Sequence, residues 1–192
     1  MTTKYLLAGV LGGVVMFIWS SVAHMGIPRL AKAGVSEIPN EQVTLDTFQT
    51  ILGEKRGLYV FPAPPETTEQ KDEMKKQMSE GMKTPSGLLV YRPAGVTISL
   101  ARQIVTEGIK ELIISVIAIF LLMETKIASF SGRVCFVTTV GLVATITTNI
   151  SYWNWYGFPT AYITGYMMIE LIGFFCAGLV AALVLRKTPP HP

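Results

Sequence analysis

The sequence predicts an all-α membrane protein: a four-transmembrane-helix bundle with a small α+β extracytoplasmic domain inserted between helices 1 and 2. Three observations carry that prediction. Half of the 192 residues are hydrophobic and only 15% are charged, a balance found in membrane chains rather than soluble ones. The apolar residues gather into runs of about the 20 residues that a bilayer crossing needs. Between the first run and the others lies one long polar stretch with helix and strand signals of its own.

The first run, Tyr5–Ala23, is read as a retained span. Lys4 before it and Ser21-Val22-Ala23 at its end imitate a secretory signal with a small-residue cleavage site. However, the run exceeds a usual signal core and carries Gly9-x-x-x-Gly13, a spacing that lets helices approach closely in lipid. Residues 1–23 are therefore assigned to transmembrane helix 1.

Residues 24–97 are assigned to the α+β cap. Asn40 is placed to cap a helix beginning at Glu41, in which Leu45, Phe48 and Leu52 recur at helical spacing with Ile51 beside them, until Gly53 stops it. Leu58–Phe61 reads as a strand ended by Pro62-Ala63-Pro64-Pro65. Thr67–Met82 reads as a charged second helix, and Ser86–Tyr91 as a second strand stopped by Pro93 and Gly95. Two short strands cannot bury both faces alone, so they are expected to pair and to pack beneath one or both helices.

Residues 98–192 supply a three-helix membrane region, with spans near 104–123, 134–152 and 161–185. The last is strongly apolar, and 134–152 is rich in hydroxyls. The 104–123 segment has a charge-free core of only Leu112–Met123 and must extend back through Glu111, Lys110 and Glu107. It is counted as a span because leaving it out would put Lys4 on the opposite side from Arg133 and Arg186-Lys187. With it, those residues and Lys126 share one side, and the opposite Trp153–Thr160 loop has no Lys or Arg. Both termini are thereby assigned to the cytoplasm and residues 24–97 to the outside. The lysines of the cap do not overturn this, since long segments translocate largely regardless of charge. The tail Thr188–Pro192 is a short polar end.

Composition narrows the function. The net charge of +3 is dispersed among acidic residues with no Arg-aromatic patch, so nucleic acid is not an expected partner. Cys135 and Cys176 fall inside spans without a CxxC spacing and read as small packing residues. No internal repeat mirrors one half of the chain on the other, as an inverted-repeat transporter requires. A nucleophile elbow, a phosphate loop and a zinc signature are all missing from the sequence. No catalytic residue, metal site or cofactor is therefore assigned, and the enzyme reading is the weaker one.

The chemistry that the sequence does offer lies inside the spans. Glu170 falls within the final apolar run, where a carboxylate faces protein or water and marks a candidate site. Tyr162, Tyr166 and Glu170 are spaced by four, and Gly173, Ala177 and Ala181 continue the same face. A similar stripe runs through Thr138, Gly141, Thr145, Thr148 and Tyr152, with Asn149 beside it. Gln103, Glu107, Lys110 and Glu111 share one side of the 104–123 helix. Counted from the cytoplasmic ends, Glu170 lies about 22 Å, Lys110 about 20 Å and Glu111 about 18 Å up, so these groups can meet in the outer leaflet.

The expected cluster is Glu107, Lys110, Glu111, Asn149, Tyr162, Tyr166 and Glu170, with Lys110 paired to Glu170 or to Glu107. His24, Tyr152 and Trp155 would stand at the cavity mouth. A structural ion pair, or carboxylates that snorkel to the interface, is the plainer reading, and a proton or substrate site is the sharper one. A metal site through Glu107, Glu111 and Glu170 lacks the Glu-x-x-His pairs of di-iron helices. Bis-His haem ligation fails because His191 lies in the opposite tail from His24. The aromatic segment Tyr152–Pro159 reads as an interfacial belt.

Two segments, Gly12–Pro28 (GGVVMFIWSSVAHMGIP) and Ser151–Pro159 (SYWNWYGFP), resemble stretches of an uncharacterised family of small bacterial inner-membrane proteins. The similarity extends to Gly57–Pro62 and Pro85–Gly87. The resemblance implies a bacterial inner membrane and a retained first span, and it carries no activity, cofactor or site. The expected function is that of an integral inner-membrane protein, a non-enzymatic accessory or assembly subunit that contacts partners through its cap and helix faces. One alternative is a small proton-linked carrier using Glu170 and Lys110. Another is a lipid- or quinone-modifying membrane enzyme with Glu107, Glu111 or His24 as acid or base. The expected partners are the lipid bilayer and either a second copy of the chain, as a homo-oligomer, or a larger membrane complex.

Overall fold

The computed structural model of the chain describes residues 3–188; the tail beyond Thr188, with His191, lies outside them. The elements in chain order are α1 (Thr3–Gly26), α2 (Pro28–Ala31), α3 (Glu41–Leu52), β1 (Gly57–Phe61), α4 (Thr68–Glu80), β2 (Gly87–Tyr91), α5 (Leu100–Met123), α6 (Phe130–Tyr156) and α7 (Thr160–Val184). They form two units, one from the residues up to Ser36 together with those from Ser99 onward, the other from Glu37–Ile98.

In the helical unit, α1, α6 and α7 are each long and apolar enough to cross a membrane. Helix α5 matches α1 in length at 24 residues, but Glu107, Lys110 and Glu111 interrupt its apolar run. Three helices, rather than the expected four, therefore meet the standard of length and composition.

The ends of these helices are set by local chemistry. Ser99 accepts a hydrogen bond from the Arg102 N–H at 3.3 Å and starts α5 early, and Ser129 does the same for α6 with the Gly132 N–H at 3.1 Å. The segment expected as the loop Trp153–Thr160 is helical as far as Tyr156, because nothing in it breaks a helix before Gly157. Gly157, at φ 68°, ends α6, and Pro159 stands immediately before α7.

Helix α1 packs against both α5 and α7, and α7 packs against α6, whereas α5 and α6 touch over a shorter stretch. Glycine makes the close approaches. A Cβ on Gly13 would lie 2.7 Å from the Leu112 Cα, and one on Gly9 would lie 3.0 Å from the Val116 Cα, so the Gly9-x-x-x-Gly13 pair faces a neighbouring helix as its spacing suggests. Gly141 lies directly against the Phe174 ring, which leaves no room there for a side chain.

The apolar core gathers Tyr5, Ala8, Ile119, Leu122, Val137, Phe174, Ala177, Ala181 and Leu185. These come from the start of α1, the end of α5, the start of α6 and the second half of α7, so the dry core occupies one end of the unit. Arg133 closes that end and is only 2% exposed. Its guanidinium donates to the carbonyls of Leu185, Thr188 (2.8 Å) and Ile127 (3.2 Å). Two of these follow the last turn of α7, where the regular helical ladder has ended and, among the described residues, Leu185 accepts besides only from the Thr188 N–H at 2.9 Å.

The hydroxyl-rich character of α6 has a simple resolution. Thr138, Thr145, Thr147 and Thr148 each donate to a carbonyl one turn back in their own helix, so they need no partner outside it.

In the second unit, β1 and β2 pair antiparallel, with Leu58 opposite Val90 and Val60 opposite Leu88. Tyr91 is the buried residue of this pair, and its hydroxyl donates to the Gly53 carbonyl at 3.1 Å, tying β2 to the end of α3. Asn40 does occupy the N-cap position of α3, but at φ 53°, with no side-chain capping bond. Thr67 is the N-cap of α4 rather than part of it: it forms a reciprocal capping box with Gln70, at 3.2 and 3.1 Å. The expectation that a helix covers the sheet is not met, since α3 and α4 bury no residue and neither packs along the strands. Helix α4 has only Met74 and Met78 to offer, and the apolar Val43, Leu45 and Ile51 of α3 stay exposed.

Candidate functional site

The end of the helical unit opposite the dry core holds a polar cleft of about 210 Å³. Each long helix contributes to it: α1 through Trp19, Ser20 and His24, α5 through Glu107, Lys110 and Glu111, α6 through Thr148, and α7 through Tyr166 and Glu170. Met16, Ile114, Ile169 and Phe174 supply apolar wall.

The Lys110 ammonium lies 2.5 Å from Glu107 Oε1 and 3.1 Å from Glu111 Oε1. The pairing to Glu107 is thus formed and the pairing to Glu170 is not. Glu107 stands one turn away on the same helix, where such pairs meet without rearrangement. Glu170 is engaged elsewhere: its Oε2 accepts from Asn149 Nδ2 at 3.0 Å, while the same nitrogen donates to the Thr145 carbonyl at 2.9 Å. Glu111 is the deepest of the three carboxylates, with a side chain 7% exposed. Its Oε2 is buried with no hydrogen-bond partner among the described residues, and such an oxygen costs about 1–3 kcal/mol or more until something satisfies it.

The tyrosines divide between wall and support. Tyr166 lines the cleft, and its ring centroid lies 5.7 Å from that of His24, edge to face. Tyr162 stacks on it from outside at 5.3 Å, followed by Phe158 at 5.6 Å and Tyr152 at a further 5.3 Å. Tyr152 and Trp155, expected at the mouth, do not line the cleft: Tyr152 belongs to this ladder of rings, and Trp155 is 79% exposed. Their helix runs on through Tyr156, which carries Trp155 to the surface instead of folding it over the opening.

His24 keeps Nδ1 2.9 Å from the Ser20 carbonyl, which can only accept, so Nδ1 donates and Nε2 is left free. Sequence reasoning missed Trp19, whose indole Nε1–H donates to the Ile169 carbonyl at 2.8 Å and fixes the ring as a cleft wall. The four-residue recurrence of Met16, Ser20 and His24 was the available signal for that face of α1. It also missed Ser115, one turn beyond Glu111, which is 1% exposed with an unpartnered hydroxyl. Arg133, read from sequence only as an orienting charge, is a buried clasp.

Taken together, the lining charges are three carboxylates against one ammonium. An arrangement of this sign attracts cations and repels anions. Among the described residues, no group of three or more His, Cys, Asp or Glu is arranged to hold a metal ion. A larger hollow of about 1570 Å³ beside α4 is lined by Pro62–Pro65 and by solvated side chains such as Glu69, Asp72 and Lys76, so it lacks the desolvation that gives the cleft its electrostatic force.

No protein-family model, curated protein or solved structure matches the chain.

Proposed function

We propose that the chain is a four-span integral protein of a bacterial inner membrane that acts without catalysis, as an accessory subunit whose extracytoplasmic cleft receives a cationic group. The gathering of Glu107, Glu111 and Glu170 in one cleft that holds a single ammonium, Lys110, carries this reading.

The outer face of α5 supports counting it as the fourth span. Ile104, Val105, Ile109, Ile113, Ile117, Phe120 and Leu121 are all exposed, an apolar stripe about 26 Å long that suits hydrocarbon about 30 Å thick. With α5 spanning, Lys4, Lys126, Arg186 and Lys187 share the cytoplasmic side, and the cleft faces outward. Labelling tests this. With Cys135 and Cys176 replaced by Ala, Lys75→Cys is expected to react from outside sealed cells and Lys126→Cys only after permeabilisation. Labelling of both from one side would exclude the four-span arrangement.

A carrier would need a path onward from the cleft, and that direction is filled by Ile119, Leu122, Val137 and Phe174 with glycine-mediated helix contacts around them. This packing favours one-sided binding over passage. Leu58, Val60 and Val90 on one sheet face are 49–66% exposed, which favours contact with a partner protein. Extraction from native membranes in mild detergent followed by mass measurement is expected to recover a larger complex. Recovery of bare monomer alone would overturn the accessory role.

A further inference from the structure

Within the cleft, the charges do not balance locally. Lys110 engages Glu107 Oε1 and Glu111 Oε1. Glu111 Oε2 remains unpartnered on a side chain more than nine-tenths buried. Among the described residues, the one side-chain partner of Glu170 is the Asn149 amide, a neutral donor that orients the carboxylate without cancelling its charge. Two carboxylates on different helices therefore border one small space that the rings of Trp19 and Tyr166 also line.

That combination selects among cations. A metal ion needs several converging ligands at 2.0–2.6 Å, and among the described residues no such set exists. An ammonium group needs hydrogen-bond acceptors on more than one side and gains further from aromatic faces around its carbon substituents. The volume of about 210 Å³ is roughly that of seven waters at about 30 Å³ each, enough for a small amine but not for a large one.

We infer that the cleft takes a primary ammonium group, either of a free small amine or of the ethanolamine head of a phospholipid. The ammonium donates to Glu170 and to Glu111, whose Oε2 lies closed off beside the cleft and turns toward the space as the ammonium enters, Lys110 holding Oε1. Any phosphate of a lipid head stays outside, since Lys110 is already held by two carboxylates. The inference rests on the cleft being a binding site, as proposed above. Its test in detergent does not depend on which side of a membrane the cleft faces, so it fails or succeeds independently of the labelling experiment.

Trp19 serves as the reporter. The full chain has three tryptophans, and Trp153→Phe with Trp155→Phe leaves the cleft indole alone to emit. Titration of this protein in maltoside detergent with ethanolamine is expected to give a saturable change in emission. Tetramethylammonium, which has no N–H, and sodium chloride at equal ionic strength are expected to give none. Glu111→Gln and Glu170→Gln should each weaken the response about tenfold or more. Thr148→Lys brings an ammonium into the cleft without removing a carboxylate and should abolish the response even if the glutamine variants fold poorly.

Nanodiscs identify the source of the amine. If the lipid head is the ligand, discs containing phosphatidylethanolamine show the shifted emission without added amine, and ethanolamine adds nothing. If a free amine is the ligand, those discs still respond to ethanolamine as phosphatidylcholine discs do. An absent response to both sources would overturn the inference. So would an equal response to sodium chloride, or a folded Thr148→Lys protein that binds ethanolamine like its parent.

Discussion

Asn149 on α6 and Glu170 on α7 are joined by a 3.0 Å hydrogen bond from the amide nitrogen to the carboxylate. The same nitrogen also holds the Thr145 carbonyl, so this bond couples the side chain of Glu170 to the backbone of α6. Asn149→Leu is expected to destabilise the fold by about 2 kcal/mol, the usual worth of a hydrogen bond to a charged group. In a double-mutant cycle with Glu170→Leu, the coupling is expected at about 1 kcal/mol, the scale measured for polar contacts between membrane helices. Unfolding in mixed micelles with rising dodecyl sulfate reads both. Additivity of the two changes would show that the bond contributes nothing.

Arg133 should be among the most sensitive positions in the chain. Arg133→Met removes the guanidinium bonds to the carbonyls of Ile127, Leu185 and Thr188, of which, among the described residues, Leu185 alone keeps a backbone donor, the Thr188 N–H, a loss of about 3 kcal/mol. Arg133→Lys is expected to recover only a minor part, because an ammonium cannot present the fork that reaches three acceptors. Thermal unfolding in detergent orders the three proteins, and full recovery by lysine would refute the geometric account.

The glycines divide sharply. Gly13→Ala drives a methyl to 2.7 Å from the Leu112 Cα and 2.9 Å from the Glu111 carbonyl, backbone atoms that cannot move aside alone, and should cost about 3 kcal/mol. Gly108→Ala meets only the Phe17 ring, at 3.7 Å, and should stabilise α5 by up to about 1 kcal/mol through helix propensity. The same micelle titration gives the comparison. Equal effects at the two sites would argue against a tight α1–α5 seam.

Thr67→Ala removes one half of the α4 capping box and is expected to cost about 1 kcal/mol locally. Since α4 buries no residue, the effect should stay in its first turn. Hydrogen exchange followed by mass spectrometry should show faster exchange near Gln70 and none elsewhere. Loss of protection across β1 and β2 would reveal a coupling that the geometry lacks.

Much of the local structure can be read from residue order alone, because its causes are local. Gly53 and Gly157 stop their helices where glycine is favoured, and the strands fall within one residue of the short apolar runs bounded by Pro and Gly. The shared depth of Lys110, Glu111 and Glu170 follows from counting residues along straight helices. What the sequence hides depends on rotation and on neighbours. Lys110 had two acidic candidates, and the nearness of Glu107 on the same helix together with the facing of Asn149 toward Glu170 separates them. Helix–sheet packing in the second unit was misjudged because helical spacing of Leu45, Phe48 and Leu52 creates an apolar face without specifying what meets it. Arg133 looked like any loop charge, since two of its three acceptors lie more than 50 positions later in the chain.

Gly12 stands where three helices meet: a Cβ there would lie 2.5 Å from the Ser115 hydroxyl and 3.4 Å from the Ala177 methyl. Ser115 is one helical turn from Glu111, so the junction forms the footing of the cleft. A single added methyl at Gly12 would push the Ser115 hydroxyl from its place and crowd the footing beneath the carboxylates while altering none of them. Ligand preference in such an architecture can drift through substitutions that no ligand ever touches, and descendants with identical cleft residues could come to favour guests of different size.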